Sequence, residues 1–209
     1  MLTLHHLEHS RSQRVLWLLE ELGVPYELVR YARTDQRRAP PALSRVHPLG
    51  KSPVLVDGDL VLAESSAILR YLDDRYGQGR FTPAAGADDF WRHQEWLDYV
   101  ESSAVLPVML GLLGRMTGEA GPKTDGFCQE EAGKALDYIA DGLGTNPFLM
   151  GERVMLADMQ MTYYLGMAKR TGLLDVRSTL LAYLDRLEQQ PGFRRAESKG
   201  GPMMAPADA

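Results

Sequence analysis

The chain has 209 residues, of which 23 are Lys or Arg and 28 are Asp or Glu, so its formal net charge is −5. With 44% apolar residues, it is predicted to fold as one large domain or two small ones, and this composition excludes wholesale disorder. A mildly acidic chain lacks the concentrated basic face that nucleic acid or an anionic membrane surface would bind, so neither partner is expected.

The longest apolar run, Val105 to Gly114, is half the length that a bilayer requires, so no membrane span is expected. The N-terminus lacks the basic flank and long apolar stretch of a secretory signal, which favours a cytoplasmic location. Cys128 is the single cysteine, so an internal disulfide, a Cys-x-x-Cys pair and a cysteine-based zinc site are all excluded.

The first 80 or so residues alternate strand-like and helix-like segments. Residues 2–5 form a predicted strand, and residues 26–31 form a second one after an intervening helix. That helix is predicted from apolar residues at the spacing i, i+3, i+4, i+7, and it ends at Gly23 and Pro25. The apolar stripe consists of Val15, Leu18, Leu19 and Leu22.

A hairpin is predicted within residues 54–62, because Asp57-Gly58 separates two triplets rich in strand-forming residues. A short helix precedes it, and a longer helix from Glu64 to Tyr76 follows it and ends before Gly77. The predicted order is therefore βαβαββα, with one parallel strand pair joined through a crossover helix and one antiparallel pair joined by the hairpin. This is a thioredoxin-like α/β arrangement.

The remainder of the chain indicates helices only. A long helix is predicted from Asp88 to Met116 with a kink at Pro107, and further helices are predicted near residues 125–142, 156–171 and 177–190. The expected organisation is a thioredoxin-like domain over residues 1–77, a linker over 78–87, an all-helical domain over 88–197 and a mobile tail over 198–209.

A serine-rich segment, residues 9–14 (HSRSQR), joins the first strand to the first helix. Ser10 or Ser12 can cap that helix by accepting a backbone N–H bond. The same helix end also offers N–H groups and the positive end of the dipole to an anion, beside a hydroxyl that can donate to a thiolate. The two roles are compatible if different serines fulfil them. The absence of a Gly-x-Gly-x-x-Gly pattern argues against a dinucleotide site.

Two later segments could also bind a ligand. A cis bond before Pro53 would present the backbone of Ser52 to an extended ligand, whereas the alternative is a plain turn with a solvated Lys51. Glu64 and Ser65, at the start of a helix, suit a ligand that carries an ammonium and a carboxylate, although Ser65 could simply cap the helix. An α-amino acid end satisfies both groups.

Together these segments resemble the glutathione transferase family, in its cytosolic, bacterial, serine-type form. The resemblance rests on residues 10–27 (SRSQRVLWLLEELGVPYE), 47–55 (HPLGKSPVL) and 62–68 (LAESSAI). It is sharp over the first 77 residues and diffuse but consistent through the helical region. It implies that glutathione is the co-substrate and that its thiolate attacks a hydrophobic electrophile.

The resemblance also implies a role for each site residue. Ser10 would hydrogen-bond the glutathione sulfur as the catalytic residue, with Ser12 as a second candidate. The glycyl carboxylate would meet Lys51. The cysteinyl unit would pair with the backbone before a cis-proline, at Ser52-Pro53, and the γ-glutamyl end would be held by Glu64 and Ser65.

Further expectations concern the helical region. The apolar residues Met109, Leu110, Leu113 and Met116 are expected in the core, and as a methionine-rich wall they also suit a pocket for varied hydrophobic molecules. Asp158 resembles a structural aspartate near the start of the family's sixth helix, although Met155 replaces the usual Ser or Thr cap. A homodimer is expected from the resemblance and from an acidic, aromatic-rich helix face, formed by Asp98, Tyr99 and Glu101.

Two other functions use the same features. The same thiolate could reduce a peroxide or a disulfide, or the protein could be a noncatalytic module that binds a partner protein or stores apolar ligands. A zinc site at His5, His6 and His9 is not expected, because His5 and His6 point to opposite faces of a strand and Glu8 is the one nearby carboxylate or cysteine that could complete a set of ligands.

Overall fold

The computed structural model describes residues 1–118 and 121–206, and within these ranges the side chains of all residues except Arg115 and Met116. It divides the chain into two compact units. One unit comprises Met1–Thr82 together with the residues from Leu187 onward, and the other comprises Pro83–Arg186.

A four-stranded sheet forms the centre of the first unit, with the order β2-β1-β3-β4. Strand β1 runs parallel to β2 and antiparallel to β3, and β3 and β4 form an antiparallel hairpin. The predicted βαβαββα order is therefore confirmed. The strands are β1 (Leu2–Leu7), β2 (Glu27–Tyr31), β3 (Val54–Asp57) and β4 (Leu60–Ala63).

Three helices alternate with these strands along the chain, namely α1 (Ser12–Leu22), α2 (Ala42–Val46) and α3 (Ser65–Leu72), and a π-helical turn continues α3 over Asp73–Gly77. Helix α1 provides the crossover between the two parallel strands. It ends at Gly23, whose φ of +67° is the left-handed conformation that glycine adopts at no steric cost. Leu4, Leu16 and Ile68 are fully buried between sheet and helices.

The second unit is helical, as predicted. Its long N-terminal helix is interrupted by a π-helical turn at Val100–Ala104, and Pro107 explains the interruption. Proline lacks the N–H that would bond to the carbonyl of residue 103, and its ring clashes with that carbonyl. The helices are α4 (Asp88–Tyr99), α5 (Val105–Thr117), α6 (Pro122–Leu143), α7 (Leu156–Arg170) and α8 (Ser178–Glu188).

The helical run Asp88–Gly114 is longer than the apolar run seen in the sequence and could reach across a bilayer by length and composition alone. It has 27 residues, and its most apolar window has a mean hydropathy of 1.3, which meets the length and composition of a membrane span. Core helices of soluble proteins meet the same test. Asp98 and Glu101 lie within this run, and charged side chains at such positions are costly in a membrane.

The first residues of the expected tail are helical in the structure. Residues 198–200 complete a helix that was not predicted, α9 (Pro191–Gly200), and the side chain of Met203 is buried. Helix α9 belongs to the first unit, where Phe193 stacks edge-on against Trp17 of α1 with ring centroids 5.4 Å apart. Residues 207–209 of the expected tail lie outside the described residues.

Candidate functional site

The end of strand β1 connects two of the segments that the sequence singles out. The carbonyl of Leu7 accepts a 2.7 Å bond from the Ser10 hydroxyl, and the N–H of Leu7 donates a 3.0 Å bond to Ser52 Oγ. Strand β3 pairs with β1 only as far as His5, so Ser52 takes up a strand N–H that would otherwise have no partner there. One residue thus joins the serine segment to the loop before the hairpin.

Ser10 and Ser12 form a buried chain of hydrogen bonds with a histidine. The two hydroxyls are 2.8 Å apart, and Ser12 Oγ lies 2.8 Å from His6 Nδ1. The other ring nitrogen, Nε2, lies 3.1 Å from the carbonyl oxygen of Gly200 at the end of α9. Ser12 is fully buried, whereas Ser10 retains 6% exposure.

Arg11, and not Ser10 or Ser12, occupies the N-cap position of α1, and no side chain makes a capping bond there. Ser10 nevertheless contacts the start of the helix. Its Oγ accepts the backbone N–H of Ser12, the first residue of α1, at 3.2 Å. The preceding residue, His9, has a φ of +50°, an uncommon conformation outside glycine that concentrates at functional sites. The Nδ1 atom of His9 lies 3.0 Å from the carbonyl oxygen of Pro202, so the C-terminal segment packs against both histidines.

The Ser52–Pro53 peptide bond is cis, as predicted. The hydroxyl of Ser52 donates to the carbonyl of His5 at 2.8 Å, in addition to accepting the Leu7 N–H. Both bonds are made by the side chain of Ser52, so neither of them uses the backbone N–H or C=O that an extended ligand would pair with. Lys51, the neighbouring residue, is exposed.

At the start of α3, Glu64 occupies the N-cap position with φ +69° and ψ +116°. Such a backbone is strained for a residue other than glycine, and strain of this kind concentrates at ligand sites. Ser65 is buried, and its Oγ accepts a 3.0 Å bond from Nη1 of Arg14, which is itself buried in α1. The guanidinium therefore places positive charge behind the first turn of α3, where the dipole already favours an anion.

Two residues to which the sequence analysis gave no role in the site connect four elements of the first unit. Arg14 links α1 to α3 through Ser65, and His6 of β1 contacts α9 through the Gly200 carbonyl and α1 through Ser12. The sequence does contain a signal for Arg14, because this charged residue lies in the first turn of α1 beside the apolar stripe. The partner of His6 is a backbone carbonyl, which leaves no signal in a sequence.

The predicted pocket residues lie on α5 in the second unit. Met109, Leu110 and Leu113 are 41%, 42% and 54% exposed, so they are not core residues of that unit. An exposed apolar row of this kind suits contact with another hydrophobic molecule. The side chain of Met116 lies outside the described residues.

Asp158 has the contacts of a folding element. Its carboxylate accepts the N–H of Leu149 at 3.0 Å, the N–H of Met155 at 2.8 Å and the hydroxyl of Tyr183. Burial raises the pKa of Asp158 to about 6, and the hydrogen bonds act in the opposite direction. Although Met155 cannot cap α7 with a hydroxyl, Asp158 still accepts the backbone N–H of Met155, which is one half of a capping box.

Within residues 1–118 and 121–206, no group of three or more His, Cys, Asp or Glu side chains is arranged to hold a metal ion. The histidines near the N-terminus have other partners. His5 lies 2.9 Å from the hydroxyl of Tyr31, whereas His6 and His9 contact the C-terminal segment.

Comparison with known proteins shows which family the chain belongs to. Residues 1–74 match the family model described as the glutathione S-transferase N-terminal domain. Glutathione S-transferase 3 of Schizosaccharomyces pombe is 35% identical over 185 residues, which cover 81% of this chain and 75% of the relative. Human glutathione S-transferase theta-2 is 30% identical over 188 residues, which cover 86% of this chain and 77% of the relative.

Solved structures of glutathione S-transferases are also similar to this chain. The crystal structure of a glutathione S-transferase from Actinobacillus pleuropneumoniae superposes with a TM-score of 0.90 at 34% identity, covering 99% of this chain and 98% of that one. A family member from Pseudomonas fluorescens with two glutathione molecules bound shares the fold at a TM-score of 0.80 and 24% identity, covering 93% and 91% of the two chains. The chain therefore belongs to the glutathione S-transferase family.

Proposed function

We propose that the protein binds glutathione at the first unit and stabilises its thiolate for attack on a hydrophobic electrophile. The observation that carries this proposal is the junction at Leu7, which connects Ser10 to Ser52. It supports a sulfur position near Ser10 for a peptide whose cysteinyl unit pairs with the backbone of Ser52.

Ser10 is the proposed catalytic residue of this serine-type site. A free thiol has a pKa near 8.5 and is mostly protonated at neutral pH. A hydroxyl that donates to the sulfur favours the ionised form, as does the N-terminal end of the α1 dipole. Ser10 is preferred over Ser12 because Ser12 is fully buried, whereas Ser10 retains contact with the surface.

The γ-glutamyl end of glutathione is assigned to the start of α3. Its ammonium would pair with the Glu64 carboxylate, and its carboxylate would bind the Ser65 hydroxyl and N–H, with the charge of Arg14 behind them. Lys51 would meet the glycyl carboxylate at the other end of the peptide. Only the γ-glutamyl end carries an ammonium that can pair with Glu64, so this contact fixes the orientation of the ligand and places the thiol between Glu64 and Lys51.

For the second substrate we propose the exposed apolar row of Met109, Leu110 and Leu113. Methionine side chains adapt to ligands of different shape, which suits varied hydrophobic electrophiles. Cys128 is buried in the second unit, so the proposed reaction uses the thiol of glutathione and no protein thiol. The protein is further proposed to be a cytoplasmic homodimer, and light scattering that reports a monomer at micromolar concentration would contradict the dimer.

The test combines binding and turnover. Calorimetry should show glutathione binding, and an aryl halide should be conjugated to glutathione faster than in the absence of protein. Peroxide and disulfide substrates tested beside it would show whether the same thiolate reduces them. Failure to bind glutathione would overturn the proposal, and binding without turnover of any of these substrates would favour a noncatalytic binding module.

A further inference from the structure

The carbonyl of Gly200 determines which nitrogen of His6 carries the proton. A carbonyl oxygen only accepts hydrogen bonds, so the 3.1 Å contact requires an N–H at Nε2. Burial lowers the pKa of His6 to about 4, so the ring is neutral at physiological pH and Nδ1 bears no proton. Nδ1 is therefore an acceptor.

The direction of the remaining bonds follows from this assignment. Ser12 has one hydroxyl proton, and it points to His6 Nδ1 at 2.8 Å because the carbonyl of Leu7 is farther away, at 3.2 Å. Ser12 Oγ consequently only accepts in its contact with Ser10. The Ser10 proton then lies between two acceptors, Ser12 Oγ at 2.8 Å and the Leu7 carbonyl at 2.7 Å.

Ionisation of a thiol bound at Ser10 reverses this arrangement. The Ser10 proton, which the Leu7 carbonyl and Ser12 Oγ share in the structure, turns to the sulfur, so no proton then lies between the oxygens of Ser10 and Ser12. The contact becomes favourable again when the Ser12 proton turns from His6 to Ser10. Thiolate formation therefore competes with the Ser12 to His6 hydrogen bond.

We propose that His6 is a positioning residue that sets the direction of the Ser12 and Ser10 hydroxyls, so that its hydrogen bond from Ser12 opposes ionisation of the bound thiol. This inference rests on the proposed role of Ser10. The contact of His6 with the carbonyl of residue 200 requires a glycine at that position, because a Cβ there would lie 2.9 Å from His6 Nε2 and 2.6 Å from Leu16 Cδ2.

The charged and titratable groups that act on His6 come from its own segment and from β2. Arg30 and His9 lower its pKa, in addition to the effect of burial, whereas Glu8 and the Gly200 carbonyl raise it. Because burial dominates, the neutral ring persists over the pH range in which a thiol titrates.

The decisive variant is His6→Phe, which keeps a ring but removes the acceptor. The Ser12 proton then turns to Ser10, and the thiol pKa, followed by the ultraviolet absorbance of the bound thiolate, should fall by roughly half a unit to one unit. Loosened packing around Ser10 would instead raise the thiol pKa. The direction of the pKa change therefore distinguishes loss of the acceptor from loss of packing. His6→Gln should retain the wild-type value, because its amide accepts from Ser12 and donates to Gly200, and His5→Phe on the opposite face of β1 is the matched control.

A second measurement needs no variant. Nitrogen-15 NMR of the histidine rings in the wild-type protein should show a proton on Nε2 of His6 and none on Nδ1. The opposite tautomer would overturn the inference, as would an unchanged or raised thiol pKa in His6→Phe, or a fall in His6→Gln as large as that in His6→Phe. If Ser10→Ala raises the thiol pKa while His6→Phe does not lower it, the proposed function stands and this inference fails.

Discussion

Nη1 of Arg14 donates a 3.0 Å hydrogen bond to Oγ of Ser65, although 51 positions separate the two residues. The bond joins α1, which begins beside the proposed sulfur position, to the first residue of α3. A buried guanidinium at this junction favours a carboxylate at the start of α3, because the low local dielectric strengthens its field.

Arg14→Met should therefore weaken glutathione binding by about tenfold or more, since a hydrogen bond to a charged group contributes roughly 1.5 to 3 kcal/mol. The effect should depend on the ligand carboxylate. An analogue in which hydrogen replaces the γ-glutamyl α-carboxylate should bind the variant and the wild type with similar affinity in calorimetry. Equal losses for glutathione and the analogue would show that Arg14 acts only through the fold.

Glu64→Gln tests the other half of the γ-glutamyl site. The substitution removes the charge that pairs with the ligand ammonium but keeps a hydrogen-bond acceptor. A hydrogen bond to a charged group contributes roughly 1.5 to 3 kcal/mol, so the dissociation constant for glutathione should rise about tenfold. Glutamine keeps the size of the side chain at this strained backbone position. Asp59→Asn, in the exposed hairpin turn, is the control, and unchanged affinity in Glu64→Gln would reject the assignment of the ammonium.

Several parts of this fold and site could be predicted because their signals are local. Asp57-Gly58 indicated the hairpin, and the apolar stripe of α1 indicated an amphipathic helix. Ser10 and Glu64 stood out because their residue types suit helix N-termini.

The parts that escaped prediction depend on distant partners. Helix α9 begins with Pro191-Gly192, and its buried face has helical spacing but consists mostly of small residues such as Ala196 and Gly200. Few strongly apolar side chains therefore mark this face in the sequence. Its position is determined by contact with α1, which no local pattern records. The same reason explains why His6 was considered only as a weak metal ligand, since the atom that fixes its tautomer is a carbonyl 194 positions away.

Stability of the first unit should decrease in acid because of His6. Its folded-state pKa lies near 4, below the ordinary value of 6.5, so between these values the unfolded chain binds one more proton than the folded chain. The contribution of His6 to the free energy of unfolding is then constant above about pH 6.5. It falls by up to about 3 kcal/mol as the pH drops towards 4. Urea denaturation across this range should show a smaller decrease in His6→Gln, and parallel curves would contradict a buried neutral histidine.

In the second unit, Asp158→Ala should lower the free energy of unfolding by about 3 kcal/mol or more. The substitution leaves the N–H groups of Leu149 and Met155 and the hydroxyl of Tyr183 without their buried acceptor, and each unsatisfied group costs roughly 1 to 3 kcal/mol. Asp141→Ala, at an exposed position of α6, is the matched control in the same denaturation experiment. A loss no larger than that of the control would contradict the role of Asp158 as a folding element.

The central claim, that Ser10 stabilises the thiolate of bound glutathione, is tested most directly by the pKa of the bound thiol in the wild type, Ser10→Ala and Ser12→Ala. The wild-type value should lie at least about one unit below that of a free thiol, near 8.5, and Ser10→Ala should raise it by about one to two units. A role as helix cap alone predicts about 1 kcal/mol of lost stability with this pKa unmoved. A rise in Ser12→Ala without one in Ser10→Ala would contradict the account by transferring the donor role to Ser12, and no rise in either variant would leave the backbone N–H groups of α1 as the donors.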